Sequence, residues 1–315
     1  LMRGSFLAFG IVSIMYLFTV AKKPNTKTDG SKEAVILHTV LQALEQAHFR
    51  PQQLNDEFSK AVYHSYIDAL DGSKRIFIQS DIDQLKGYIT KLDDDIKVRN
   101  LDFFYLSTKL FRNALIKSET YYKEAVSKPL DLKANHTIEL DPKKSNFAKN
   151  DADLKNTWTK LIQYEVVSRM AEKLDIQEKE TKNKKSVSEL QKETLEKIKE
   201  TYDDYFFRLK KLDDKVWFES YLNAITGYFD PHTNYFSPKD KEDFDMNMSG
   251  KYEGIGARLG QEKEFTKVTS IIPGGPAAKN GELEVDDLLL RVTQDGGEPK
   301  EVIGLRVDEV ITHIR

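Results

Sequence analysis

The sequence predicts an α+β chain in which a mainly helical N-terminal domain precedes a small α/β domain. From residue 34 to about residue 226, apolar side chains recur at spacings of three and four residues, which is the helical period. After Phe236, glycine and proline become more frequent and short β-type stretches appear. At 315 residues the chain has room for two domains of about 150 residues each, and we place their boundary near residue 240.

Composition and charge exclude several classes of function. The formal net charge is −3, so no overall positive field favours nucleic acid, and we expect no nucleic-acid partner. Cysteine is absent, which excludes disulfides, thiolate metal sites and a cysteine nucleophile. The six histidines show no metal-ligand spacing, and the motif H-E-x-x-H does not occur. We therefore expect neither a metal site nor a cofactor.

The first 33 residues have the pattern of an export segment followed by a linker. Residues 6–21 (FLAFGIVSIMYLFTVA) are uncharged, with Arg3 before them and two lysines after them, which is typical of a secretory signal. A membrane span needs about 20 apolar residues, so cleavage is favoured, and an anchor with membrane association is the alternative. We interpret residues 1–21 as signal segment or anchor, and residues 22–33 as a polar linker.

Residues 34–239 form the predicted helical domain. Ser80 is the expected N-cap of a helix that runs to about Val98, because acidic residues follow it in the first turn. Residues 127–150 contain two prolines and form a long connection, with a short strand expected at residues 137–140. A charged turn is expected at residues 176–185. Apolar stripes predict the other helices at residues 35–44, 58–70, 101–125, 151–174, 187–209 and 216–228.

Residues 252–260 (YEGIGARLG) place three of the 16 glycines of the chain within a span of seven positions. Glycine lets the backbone approach a ligand closely and adopt a positive φ. A dinucleotide site needs the pattern G-x-G-x-x-G at the start of a helix. Here the spacing of Gly254, Gly256 and Gly260 is one residue longer, and a strand-like stretch follows. A phosphate ligand is therefore disfavoured, which leaves a peptide, or no ligand at all.

A glycine turn that leads into a strand can direct backbone N–H groups at a peptide carboxylate. The strand edge then pairs with the extended peptide, and a facing helix supplies side-chain pockets. In this sequence residues 254–257 would be the turn, residues 257–259 the edge strand and residues 307–315 the helix. A second strand is expected at residues 265–272, a short helix at residues 276–280 and a third strand at residues 288–293.

Two resemblances narrow this interpretation. Residues 268–292 (VTSIIPGGPAAKNGELEVDDLLLRV) resemble the PDZ signature of bacterial proteases, although Asp286 stands where such domains usually have glycine. That departure should alter one turn and leave the groove unchanged. Together with residues 228–238 (YFDPHTNYFSP) and 70–83 (LDGSKRIFIQSDID), this stretch resembles the tail-specific, or C-terminal-processing, serine peptidases, over residues 70–315.

The resemblance implies a PDZ domain at residues 240–315 without its last strand, and a later catalytic domain with a paired serine and lysine. We expect no catalytic residue in this chain. The domain should bind the C-terminal tails of protein substrates through the N–H groups of Ile255, Gly256 and Ala257. Gly254 would complete the turn. The pocket for the last apolar side chain would be lined by Ile255, Leu259, Val310 and Ile314.

The parent protein is, on this interpretation, an exported serine endopeptidase of the bacterial periplasm or cell envelope. A non-catalytic scaffold that only binds peptide tails, and a helical envelope adaptor with an incidental glycine turn, are the alternatives. An adaptor protein on the helical domain is a further candidate partner. Asp230 should make its turn rigid by accepting the N–H of His232 or Thr233. That turn is either purely structural or a hinge between the domains.

Overall fold

The computed structural model describes residues 30–127, 130, 134–179, 184–249, 254–294 and 296–314. Helices dominate the first part of the chain, and the predicted α+β class is confirmed. The helices before the small sheet are α1 Lys32–Ala47, α2 Asp56–Asp71, α3 Gln79–Leu85, α4 Leu92–Lys97, α5 Asp102–Ser127, α6 Asp151–Lys179, α7 Val187–Lys211, α8 Asp214–Phe229 and α9 Pro238–Ser249. No described helix is long and apolar enough to cross a membrane. The predicted signal segment lies outside the described residues.

Polar side chains fix where several of these helices begin. Asn55 accepts the N–H groups of Glu57 and Phe58 at the start of α2. Ser186 and Glu189 form a reciprocal capping box at the start of α7. Asp213 caps α8 by accepting the N–H of Lys215. These caps satisfy backbone donors that have no partner within their own helix.

One continuous apolar core joins the helices. The helix α2 packs against α8, and α5 packs against α6 and α7. Large aromatic side chains dominate the interior, and their rings meet mostly in edge-to-face or tilted pairs. Fully buried members of this core include Phe58, Tyr66, Phe103, Phe111, Tyr122, Trp158, Phe206 and Tyr221. The first helical domain is therefore held together by an aromatic centre that draws on α2, α5, α6, α7 and α8.

Two expectations for the region around residue 80 were wrong. The helix starts at Gln79, not after Ser80, because the N–H of Ile78 donates to the Asp81 carboxylate (3.0 Å) and the N–H of Gln79 donates to the carbonyl of Ala148 (2.8 Å). It also ends at Leu85, and a 3₁₀ turn that contains Gly87, a poor helix former, separates it from α4.

The connection between α5 and α6 also differs from its prediction. Residues 137–140 do not form the expected strand. The connection pairs instead at Ala148, which forms a parallel bridge with Ile78. The charged turn expected from residue 176 begins later, because α6 continues to Lys179.

The small second domain consists of short strands and two helices. The strands are β1 Ala257–Glu262, β2 Phe265–Ile271, β3 Leu288–Leu289, β4 Arg291–Val292 and β5 Lys300–Glu301. The first three form an antiparallel sheet in the order β1-β2-β3, and β4 pairs with β5. The helix α10 Pro276–Asn280 has the predicted limits, and α11 Val307–Ile314 packs against β1 and β4. This order leaves one side of β1 without a partner strand among the described residues.

A buried carboxylate organises the turn between α2 and α3. Asp71 is 3% exposed and accepts the N–H groups of Arg75 (2.9 Å), Ile76 (2.9 Å) and Phe77 (2.8 Å). Burial raises the pKa of the Asp71 carboxyl to about 6, against these three donors, which lower it. The folded protein therefore holds the proton of Asp71 more tightly than the unfolded chain does.

This difference predicts a pH dependence of stability. Between the ordinary pKa of 3.8 and about 6, the folded state binds more protons, so the free energy of unfolding falls as pH rises. The variant Asp71→Asn cannot titrate at this position. From well below pH 3.8 to well above pH 6, wild type should lose about 3 kcal/mol in total relative to Asp71→Asn.

Urea denaturation of both proteins at pH 4, 5, 6 and 7, followed by tryptophan fluorescence, measures this difference. Trp158 and Trp217 both lie in the helical core, so they report on the domain that contains Asp71. Parallel stability curves for the two proteins would show that the Asp71 carboxyl does not titrate in this range.

Candidate functional site

The glycine turn of residues 254–257 is pressed against the start of α10. Gly256 has φ of 78°, and a Cβ atom there would lie 2.7 Å from the Cδ of Pro276 and 2.9 Å from its backbone nitrogen. Gly275 approaches the same point, because a Cβ atom on it would lie 3.1 Å from the Cα of Gly256. Both positions therefore need glycine so that the two backbone segments can touch.

This close approach uses the carbonyl groups of the turn. The N–H of Ala277 donates to the carbonyl of Ile255 (2.8 Å), and the N–H of Ile272 donates to the carbonyl of Gly256 (2.9 Å). Within the described part of the chain, the N–H groups of Ile255 and Gly256 donate to no acceptor. Among the described residues, the turn thus presents two N–H groups without an acceptor, while the carbonyls of Ile255 and Gly256 are bonded, and such donors favour an anionic ligand.

The antiparallel ladder between β1 and β2 indicates where the N–H of Ala257 points. Hydrogen-bonded and non-hydrogen-bonded partners alternate along such a pair. Since the N–H of Ile272 bonds to Gly256, the next pair, Ala257 and Ile271, is of the non-hydrogen-bonded kind. The N–H of Ala257 therefore faces the open edge of β1.

The side chains predicted to line the pocket belong to β1, to the turn before it and to α11, which packs against β1, and they are not equally exposed. The space between β1 and α11 is called the groove below. Ile255, Leu259 and Ile314 are half-buried, so part of each side chain is open to a ligand. Val310 is buried at 0% exposure, so it offers no free surface to a ligand in this state. Gly254 is exposed at the start of the turn.

Asp286, the departure from the PDZ pattern, lies on the far side of β2 from the groove. Its φ is 78°, a left-handed conformation that glycine adopts easily and that aspartate tolerates better than most residues. Its N–H bonds to the carbonyl of Val268 (2.9 Å), and its carboxylate pairs with Lys267 (2.7 Å). The change thus affects the turn that leads to β3 and leaves the glycine turn unaltered.

The helix that forms the other wall of the groove is held at its N-terminal end by the helical domain. Lys239, in the first turn of α9, donates to the carbonyl of Asp308 (3.1 Å) and to its carboxylate (3.0 Å). Lys211, the last residue of α7, donates to the carbonyl of Gly304 (2.9 Å). Burial alone would raise the pKa of Asp308, but the bond from Lys239 and the charge of Arg306 hold it below its ordinary value.

The turn before α9 sets the position of Lys239. The Asp230 carboxylate accepts the N–H of His232 (2.8 Å), as the sequence predicted. The hydroxyl of Thr233 bonds to His48 (3.1 Å), and the N–H of Tyr235 bonds to Asn223 (2.7 Å). These contacts tie the turn to the helical domain. Sequence reasoning missed Lys211, Lys239 and Asp308, because no spacing signal links residues so far apart.

The described residues bring no serine hydroxyl into contact with a lysine amine. The hydroxyl of Ser145 donates to the carbonyl of Asp141, that of Ser237 donates to Asp240, and Lys241 pairs with Asp245. Nor do the described residues contain a group of three or more histidine or acidic side chains that could hold a metal ion.

Comparison with known sequences places two family matches on this architecture. Residues 40–239 match the family model of the tail specific protease N-terminal domain, and residues 243–315 match that of the PDZ domain. The tail-specific protease of Haemophilus influenzae is 29% identical over 275 residues, which is 86% of this chain and 37% of that protein. The chain thus spans little more than a third of this relative.

Two further proteins are similar over shorter stretches. A carboxy-terminal processing protease of Bacillus subtilis is 29% identical over 125 residues, or 38% of this chain and 25% of the relative. A crystal structure of the PDZ domain of a carboxy-terminal protease from Vibrio cholerae, in complex with peptide, shares 38% identity. It covers 20% of this chain and 64% of that one, with a TM-score of 0.20.

The contact between the glycine turn and α10 predicts that two alanine substitutions lower the stability of the small domain by different amounts. Gly256 and Gly274 share φ of 78°, but a Cβ atom meets Pro276 only at Gly256, since nothing lies within 4 Å of it at Gly274. Both variants bear the left-handed strain of about 1–2 kcal/mol. Gly256→Ala should lower the stability by at least about 1 kcal/mol more than Gly274→Ala, because the added Cβ atom forces the turn away from Pro276.

Amide hydrogen exchange of β2 measures the local free energy of opening in both variants. Tryptophan fluorescence does not report on this domain, because both tryptophans, Trp158 and Trp217, lie in the helical domain. Equal protection of β2 in the two variants would show that Gly256 is not pressed against α10.

Proposed function

The chain belongs to the tail-specific protease family, and from that premise we propose that its PDZ domain binds the C-terminal carboxylate of protein substrates at residues 254–257. The observation that carries the proposal is the pair of N–H groups on Ile255 and Gly256 that have no acceptor within the described residues. A free carboxylate can accept both, and that of Ala257 as a third. Each such charge-assisted bond is worth on the order of 1.5–3 kcal/mol.

The rest of the bound peptide would extend β1. The outer edge of β1 is open in the described sheet, so an extended peptide can add to it as a further antiparallel strand. The last side chain of the peptide would then enter the groove beside Ile255, Leu259 and Ile314, which are half-buried and apolar. Burying each CH₂ group there adds about 0.8 kcal/mol, so an apolar last residue is preferred.

The parent protein, on this proposal, is an exported serine endopeptidase that degrades or processes proteins whose C-termini the groove has captured. The family match and the names of the relatives support the peptidase activity. Its serine and lysine would lie beyond residue 315, as in the family pattern. Export through residues 1–21, and a periplasmic or envelope location, rest on the sequence pattern alone.

Peptide binding to the 315-residue chain should depend on the free carboxylate. A peptide with an apolar last residue should bind about ten to a hundred times more tightly as the free acid than as the C-terminal amide, because the amide cannot accept from all the N–H groups as an anion. Fluorescence polarisation with one labelled sequence in both forms measures the ratio. Equal affinities would contradict the carboxylate role.

The groove wall should set the preference for the last side chain. Ile314→Ala removes apolar surface beside the expected pocket and should weaken binding of the free-acid peptide roughly ten-fold. Thr312→Ala, on the exposed face of the same helix, is the matched control and should bind as wild type does. If both variants weaken binding equally, α11 contributes through its stability and not through a pocket.

The same free-acid peptide also tests where the catalytic groups lie. Incubated with the 315-residue chain, it should remain intact by mass spectrometry. Hydrolysis above the buffer control, retained after repeated purification, would place the catalytic pair within this chain.

A further inference from the structure

A polar cavity of about 290 Å³ lies in the helical domain, on segments that take no part in the groove. It forms where the turn after α2, the connection before α6 and the first turns of α6 meet. Its volume is at the lower end of the range for small-molecule pockets, which is about 300–1,000 Å³. Residues 73–75 and residues 137–148 line the cavity. The first segment belongs to the stretch LDGSKRIFIQSDID, and the second to the long connection between α5 and α6. The proposed peptide site gives neither segment a role.

The lining of this cavity is strongly cationic. Lys74, Arg75, Lys144 and Lys160 line it, and Glu139 is the acidic side chain among its described lining residues. The cavity therefore carries a formal charge of +3, from four cations and one carboxylate, within a chain of net charge −3. Such a local concentration of one sign stands out against the mixed charge of the chain as a whole.

Lys74 is held in place by contacts that leave its charge unneutralised. Its ammonium donates to the carbonyl of Ser145 (2.5 Å) and lies 5.7 Å from the centre of the Phe147 ring. Neither partner is an anion, and no carboxylate within the described residues pairs with it. An ammonium group has three N–H donors, so two remain for a ligand.

Within the described part of the chain, the other cations also lack close ionic partners. The side chain of Lys160 makes no hydrogen bond or ion pair there, although it is half-buried. Lys144 has only a distant pairing with Asp141 at 3.7 Å. Arg75 also lines the cavity, and two hydrogen bonds fix its backbone. Its N–H donates to the Asp71 carboxylate, and its carbonyl accepts the indole N–H of Trp158 (3.0 Å). Cations brought together from three segments, with Glu139 as the one acidic side chain among the described lining residues, repel one another unless an anion joins them.

From this arrangement we infer that the cavity between Lys74, Lys144 and Lys160 binds the phosphate group of a small phosphorylated molecule. Lysine ammonium groups act as point charges on phosphate oxygens. The hydroxyls of Ser73 and Thr157 also line the cavity, but they donate to the Asp71 carboxylate (3.5 Å) and to the carbonyl of Asp153 (3.0 Å). The lysine ammonium groups are therefore the donors that a phosphate would meet. The phosphate group is carried either by a free soluble molecule or by a lipid headgroup.

Two soluble probes and one membrane probe distinguish these sources. Isothermal titration calorimetry of the 315-residue chain with inorganic phosphate and with glycerol 3-phosphate, at ionic strength matched with sodium chloride, tests the soluble source. Flotation with phosphatidylcholine vesicles, with and without phosphatidic acid, tests the headgroup. Saturable binding of one equivalent of either soluble probe supports a soluble ligand. Binding that occurs only with the phosphatidic acid vesicles, and that Lys160→Gln abolishes, supports the headgroup.

Three variants that each change one charge are expected to weaken, strengthen or leave unchanged the binding of phosphate. Lys160→Gln should weaken the binding of whichever probe binds by at least about ten-fold. The fold should tolerate it, because the Lys160 side chain makes no hydrogen bond or ion pair with a described residue. Glu139→Gln removes the one described acidic wall and should strengthen binding severalfold. Lys143→Gln, next to Lys144 but outside the cavity lining, is the matched control and should change nothing.

Two results would overturn the inference. One is the absence of saturable binding of all three probes to the wild-type chain. The other is an equal loss of binding in Lys160→Gln and Lys143→Gln, which would indicate a diffuse attraction to surface charge and no defined site. Thermal unfolding of each variant, measured without phosphate, verifies that the compared proteins are equally folded.

Discussion

The close approach of Gly256 to Gly275 and Pro276 is the constraint on which the candidate site depends. It brings the N–H groups of Ala277 and Ile272 to the carbonyls of Ile255 and Gly256, at 2.8 and 2.9 Å, while the N–H groups of Ile255 and Gly256 have no acceptor among the described residues. A side chain at Gly256 would separate the two segments. The anion binding proposed for the turn would therefore depend on backbone packing and need no charged side chain.

The groove is also connected to the helical domain. Lys239 and Lys211 hold the N-terminal end of α11, while β1 belongs to the small domain alone. The Lys239 and Asp308 side chains are 44% and 39% exposed, and such surface pairs contribute at most about 1 kcal/mol. These contacts thus fix the position of α11 more than they stabilise it. The turn at Asp230 precedes α9 and thereby positions Lys239, which lies in the first turn of that helix.

Local signals in the sequence predicted most of the fold and the position of the glycine turn. Helical periodicity located the long helices. Pro276 marks the start of α10, and Gly281 follows its last residue. Glycine spacing identified the turn, although the burial of Val310 beneath the groove was not expected. The break near residue 86 and the Lys239–Asp308 contact were not predictable in this way, because they depend on segments distant in the sequence. Ala148 fixes the start of α3 through such a long-range contact.

The central claim is that the N–H groups of Ile255 and Gly256 bind a peptide carboxylate directly. Transverse-relaxation-optimised NMR of the deuterated chain, titrated with a free-acid peptide, tests it by following these two amide protons. The account predicts that both shift downfield on saturation, as protons in charge-assisted hydrogen bonds do, and that the amide of Gly274 does not. Peptide binding that leaves both resonances in place would contradict the account, since the carboxylate would then be held elsewhere.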